Sequence, residues 1–213
     1  MKINWEIVCS IVTALAAIVA LIISVVQIRV SNKHQLLDRR LRLWTKAHEL
    51  MELCGKNRSL LNKKSDGPEF ANDLVFLWMT NNSLLYDISP AIRHVREQDW
   101  QPRFLVKLEE LKEMAFETDL VFKSRSAKKL STFIMDYASL LMSMYQYQIM
   151  LKYLDETKER FHYDLEQAIS AVGEERQRGE LDESKFKLLN SFDELTSDVV
   201  EKIVVQCRLS RLS

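Results

Sequence analysis

IVCSIVTALAAIVALIISVVQI, residues Ile7 to Ile28, holds 22 consecutive residues without a charge, between Glu6 and Arg29. At 1.5 Å per residue a helix of that length reaches about 33 Å, which matches a hydrocarbon core of about 30 Å. A buried helix of a soluble protein is rarely apolar on every face for six turns, so the stretch reads as a membrane span. Trp5 stands at its edge, where an indole suits the headgroup region. Ala14-Leu15-Ala16 resembles a signal-peptidase site but lies mid-run, with Ile18 to Val26 still apolar after it. An uncleaved anchor fits better.

Charge sets the expected orientation. Only Lys2 precedes the run, whereas Arg29, Lys33, Arg39, Arg40, Arg42 and Lys46 follow it closely. The positive-inside rule places that side in the cytoplasm. The expected division is therefore a short extracytoplasmic N-terminus (1–6), a transmembrane helix (7–28), a basic juxtamembrane helix (29–61) and a cytoplasmic helical bundle (62–213). Arg29, Lys33, Arg39, Arg40 and Arg42 form the lipid-proximal basic set. Their primary reading is topogenic, with recognition of anionic headgroups as the alternative. Residues 29–64 carry ten basic and three acidic groups, and residues 65–213 carry 19 basic and 26 acidic. The net charge of zero conceals this partition. It also argues against a uniformly basic nucleic-acid binder, so no nucleic acid is expected as a partner.

Four glycines and three prolines in 213 residues disfavour folds built on turns and Gly-rich loops, and favour long helices. The expected fold is all-α: the membrane helix continues to about Leu61, past a stripe of Leu37, Leu41, Trp44, His48 and Met51, and a loop spans Asn62 to Pro68. A second helix is expected from Glu69 to Ile88, ending before Ser89-Pro90, and a third from Pro102. The fourth follows a heptad seam from Phe133 through Tyr137, Leu140, Met144, Tyr147, Leu151 and Leu154 to Val172, broken at Lys158. A charged turn between Gly173 and Gly179 then leads to a fifth helix from Asp182, antiparallel to the fourth as a long helical hairpin.

Catalytic signatures are missing from the sequence. There is no Walker loop, GxGxxG, HExxH, GxSxG or CxxC. His34, His48, His94 and His162 include no helical pair, and Glu159-Arg-Phe-His162 occurs once where a di-metal bundle needs two copies. Cys9, Cys54 and Cys207 do not suggest a disulfide framework. No catalytic residue, cofactor or metal is expected. Ala16, Ala20 and Ser24 form a small-residue row of the kind that lets helices approach in lipid. With Trp44, Met51, Trp78, Tyr147 and Leu151 they are the candidate interface residues. The last five serve equally as internal core.

Ser31-Asn32-Lys33 with Leu37-Asp38-Arg39-Arg40-Leu41, Phe76-Leu77-Trp78-Met79-Thr80-Asn81-Asn82, Phe104-Leu105-Val106-Lys107-Leu108-Glu109 and Met144-Tyr145-Gln146-Tyr147-Gln148 resemble a group of uncharacterised single-pass membrane proteins of Gram-positive bacteria. The resemblance implies topology and no activity. The sequence thus leads to a membrane-anchored scaffold or sensor without catalysis. Its expected partners are the lipid bilayer together with a second copy of itself or a membrane or cytoplasmic protein. The alternative is a membrane-active effector, a toxin or defence component whose span oligomerises on triggering.

Overall fold

The structure, a computed structural model, describes residues 5–208, without the side chains of Ile7, Val8 and Ile11. The first four residues of the expected N-terminal segment and the last five of the expected bundle lie outside that range. Among the described residues every regular element is helical.

Helix α1 (Trp5–Lys56) is a single element of 52 residues. No Pro or Gly occurs before Gly55 to break its hydrogen-bond ladder. It is long and apolar enough to cross a membrane, with a window of mean hydropathy 2.2 whose side chains are all uncovered. Exposure of its described side chains continues to Leu36. Beyond that, one stripe turns inward: Leu43, Ala47, Leu50 and Cys54, each at most 5% exposed. This stripe lies one residue ahead of the expected one. Leu41 and His48 are exposed, while Trp44 and Met51 flank the core half-buried. Leucines alternate with small residues along this seam, and beside it a Cβ on Gly55 would meet the Phe192 ring of the neighbouring helix at 3.5 Å, an ordinary contact.

Helix α2 (Arg58–Leu61) is one turn, followed by irregular chain to helix α3 (Asn72–Met79). The expected second helix is thus shortened at both ends. The hydroxyl of Thr80 donates to the carbonyl of Phe76 at 2.9 Å, and Asn82 Oδ1 accepts the Leu85 backbone N–H at 2.9 Å. Such local bonds compete with the helical ladder. The chain resumes as a 3-10 helix, Tyr86–Ile92, which buries Ile88, Ala91 and Ile92.

Helix α4 (Trp100–Val121) carries Pro102 in its first turn, where the missing N–H costs little. Helix α5 (Arg125–Phe161) is central. Its seam from Phe133 to Leu154 is buried, and α4, α7 and α1 all pack on it. The seam ends earlier than expected, since Phe161 is 53% exposed. His162 takes the left-handed conformation, φ 53°, and terminates α5. Asp164 and Gln167 then form a capping box that opens helix α6 (Leu165–Val172).

The charged segment after Gly173 is not a turn. Gly173, at φ 71°, caps α6, and helix α7 (Glu174–Asp193) begins at once, with Gly179 and Asp182 inside it. Glu174 and Glu175 in its first turn favour the positive end of the helix dipole. Phe133 faces Phe192 at 5.9 Å between ring centroids, Ser143 and Ser184 share a hydrogen bond of 2.7 Å, and Tyr147 reaches Glu174 at 2.6 Å. These pairings run α7 antiparallel to α5. Helix α8 (Ser197–Gln206) closes the described chain, inserting Val199 and Ile203.

The register of α1 makes a direct prediction. Leu50→Ala should lower the unfolding free energy by about 2–5 kcal/mol, and Leu41→Ala by less than about 0.5 kcal/mol. Denaturant titration in mild detergent measures both. The reverse order would restore the Leu41 stripe.

Candidate interaction surfaces

Ala16, Ala20 and Ser24 are exposed on α1. The Ser24 hydroxyl donates to the Ala20 carbonyl at 2.9 Å, which satisfies it without a partner helix. Because α1 is unbroken, the direction of this row is fixed relative to the rest of the fold. Ala20 and the fully buried Ala47 are separated by roughly seven and a half turns at 3.6 residues per turn, so they point to opposite sides. The small-residue row therefore lies on the side of α1 opposite the packed stripe.

The five basic residues after the apolar run have different fates. Arg29, Lys33 and Arg42 are exposed. Arg39 pairs with Glu117 of α4. Arg40 turns inward: its Nε donates to the Val121 carbonyl at 3.0 Å, its Nη1 to the Gln206 carbonyl at 3.2 Å, and its guanidinium lies 5.9 Å from the Phe122 ring centroid. It therefore satisfies carbonyls at the C-terminal ends of α4 and α8, where a cation also complements both helix dipoles. Of the expected lipid-proximal set, Arg40 is a structural group. Between α1 and α4 a groove of about 760 Å³ opens beside Arg39, Arg42, Lys46 and Glu117.

The apolar candidates divide similarly. Tyr147 and Leu151 are interior, 0% and 4% exposed, so they serve as core and are closed to an outside partner. Trp44 and Met51 are half-buried, with the Trp44 ring 5.5 Å from that of His48. Trp78, 45% exposed, is the most open of the five.

Tyr147 anchors a polar cluster that the sequence did not reveal. Its hydroxyl donates to Glu174 Oε1 and accepts the Glu69 backbone N–H at 2.8 Å. Glu69 in turn pairs with the nearly buried Lys185, Arg178 lies 3.3 Å from Glu174, and Asn72 donates to the Met144 carbonyl at 2.9 Å. The cluster ties the 62–71 segment to α5 and α7. Burial in a site lined by carboxylates raises the Tyr147 pKa, and burial raises those of Tyr137 and Cys207. Burial pushes the Cys54 thiol up to about 12. Glu174 Oε2 and Asn72 Oδ1 accept no hydrogen bond. Among the described residues no three His, Cys, Asp or Glu side chains converge as metal ligands.

No protein-family model, curated protein or solved structure matches the chain.

The raised thiol and phenol values set an alkaline limit. Each group stays protonated in the folded state above its ordinary pKa, so its contribution is complete below that value and is lost as pH rises through the folded one. The denaturant midpoint should fall as pH climbs from 9 towards 12, the interval over which Cys54 contributes. Cys54→Ala should flatten that slope. An equally steep slope in the variant would remove Cys54 from the account. In the native protein at pH 8, Cys54 should also resist maleimide until denaturant is added.

Proposed function

We propose that this chain is a membrane-anchored helical interaction protein without catalytic activity. On this reading α1 spans the bilayer, its N-terminal end lies outside, and the helices from α2 onward form a cytoplasmic bundle around the α5–α7 hairpin. The chain associates with a second copy of itself through the open face of α1. A membrane or cytoplasmic protein is engaged by the exposed helix surfaces, with Trp78 as an apolar contact. One observation carries the reading: Ala16, Ala20 and Ser24 lie roughly opposite the packed stripe on one continuous helix. Two copies can therefore approach backbone to backbone in lipid while their cytoplasmic helices remain on the outer sides, clear of each other. A C2 pairing of this kind is the simplest closed assembly.

The geometry specifies which positions meet. In a Cys9→Ser background, Ala20→Cys should form disulfide-linked dimers in oxidised membranes. Ile22→Cys, roughly on the opposite side of the helix, should not. Ala16→Leu with Ala20→Leu should abolish association measured by single-molecule photobleaching. A monomer at every protein-to-lipid ratio would overturn the self-association reading.

A further inference from the structure

Beyond residue 64 the chain is acidic except in one place. Lys123-Ser-Arg-Ser-Ala-Lys-Lys129 holds four cations and no carboxylate in seven residues, while the remainder of 65–213 has 15 basic and 26 acidic groups. The fold carries this segment back to α1 at the level of Arg40. Arg40 binds the Val121 carbonyl, two residues before it, and the Lys123 backbone N–H donates to Gln206 Oε1 at 2.8 Å, beside the carbonyl that Arg40 also holds. Lys129 is occupied by Glu194 at 3.5 Å. Lys123, Arg125 and Lys128 are exposed, and among the described residues they form no ion pair. Next to them the last turns of α4 present Phe116 and Leu120, 66% and 67% exposed.

We propose that Lys123, Arg125 and Lys128 are a second contact with the anionic headgroups of the bilayer that α1 crosses; this rests on the membrane-span reading above. Arg40 lies twelve residues beyond Ile28, about 18 Å along α1. Headgroups fill about 5–7 Å of that on one side. The remaining gap, about 11–13 Å at Lys123 and more at Lys128, exceeds the Debye length of about 8–10 Å, so an upright α1 leaves the cations a small share of the surface potential. A tilt of about 20°, ordinary for a membrane helix, narrows the gap when it leans towards α4. Phe116 and Leu120 move down with it, adding apolar surface to the charge. Charge complementarity and the covalent continuity of α1 both favour a lipid occupant. An acidic protein would need the same cations but would not depend on lipid composition.

The test uses the full chain in nanodiscs of zwitterionic phosphatidylcholine, with and without 30 mole per cent (roughly one lipid in three) phosphatidylserine. Hydrogen exchange of residues 121–130 is the readout. The expected result is exchange slowed about fivefold per engaged cation on the anionic discs alone. The effect should vanish in high salt and in the variant Lys123→Gln/Arg125→Gln/Lys128→Gln, while exchange in the α5 core stays unchanged. Equal exchange in the two lipids, with the protein resistant to alkaline extraction, overturns this inference and leaves the span intact. Protein extracted by carbonate overturns the span and the inference together. Slowing on phosphatidylcholine discs to the same extent, removed by the triple variant, assigns the cations to a protein contact and likewise overturns it.

Discussion

The unbroken backbone ladder of α1 is the constraint from which the other features follow. A hinge anywhere between Ile28 and Leu43 would let the apolar half rotate freely against the packed half. With no Gly or Pro in that interval, each residue adds its 100° and the two halves share one rotational frame. Ala20 faces away from the core because Ala47 faces into it. Arg40 meets the ends of α4 and α8 for the same reason, and those ends bring Lys123 to the level of Arg40 on α1. An insertion of one residue in the stalk would swing the small-residue row by about 100° and leave every contact of the packed helices intact.

Two polar arrangements fix the remainder. Arg40 satisfies carbonyls from two helices that are distant in sequence, so one side chain does the work of two C-caps. At the other end of the packed region, Tyr147, Glu69 and Glu174 join three segments through one hydroxyl. Truncating that hydroxyl would strand the Glu69 backbone N–H and leave Glu174 Oε1 to Arg178 alone, and an orphaned buried group costs more than a single hydrogen bond contributes. The core between these two points is mainly aliphatic and aromatic, and the hydroxyls of Tyr137 and Tyr145 cross it to the Met79 and Val95 carbonyls. The polar points determine which helix ends belong together.

Much of this was legible in the sequence and some was not, for physical reasons. The apolar run, the lack of Gly and Pro, and the seam from Phe133 to Leu154 announce an all-helical chain with one long apolar N-terminal helix. The large side chains of Leu41, Trp44 and Met51 suggest a register one residue late, whereas the packed stripe of α1 is Leu43, Ala47, Leu50 and Cys54. The stop at Met79 depends on Thr80 and Asn82 bonding to nearby backbone, which competes with a plausible apolar period. His162 ends α5 without a glycine. Asp164 and Gln167 carried a readable capping box, while Gly179 read as a boundary and sits inside a helix. Among the candidate surface residues, Arg40, Tyr147 and Leu151 were indistinguishable from their neighbours by composition. Only the tertiary contacts separate a cation that binds carbonyls from one that faces solvent. The nearness of Lys123 to α1 is a long-range fact that no local pattern encodes.

The length of α5 has a mechanical meaning. Tyr137 lies near Cys54, and Lys123 and Arg40 both meet Gln206. Fourteen residues separate the two levels in each stretch, Lys123 standing two residues before α5 begins, so α1 and α5 run alongside each other. From Tyr137 the rod continues 24 residues to Phe161, beyond the end of α1. Measured from Ile28, the arm is roughly 75 Å long. A lean of about ten degrees in α1 would carry the Phe161 tip sideways by about 13 Å, more than the diameter of a helix. The chain is proportioned as a lever, in which a slight tilt of the apolar end of α1 becomes a large displacement at Phe161.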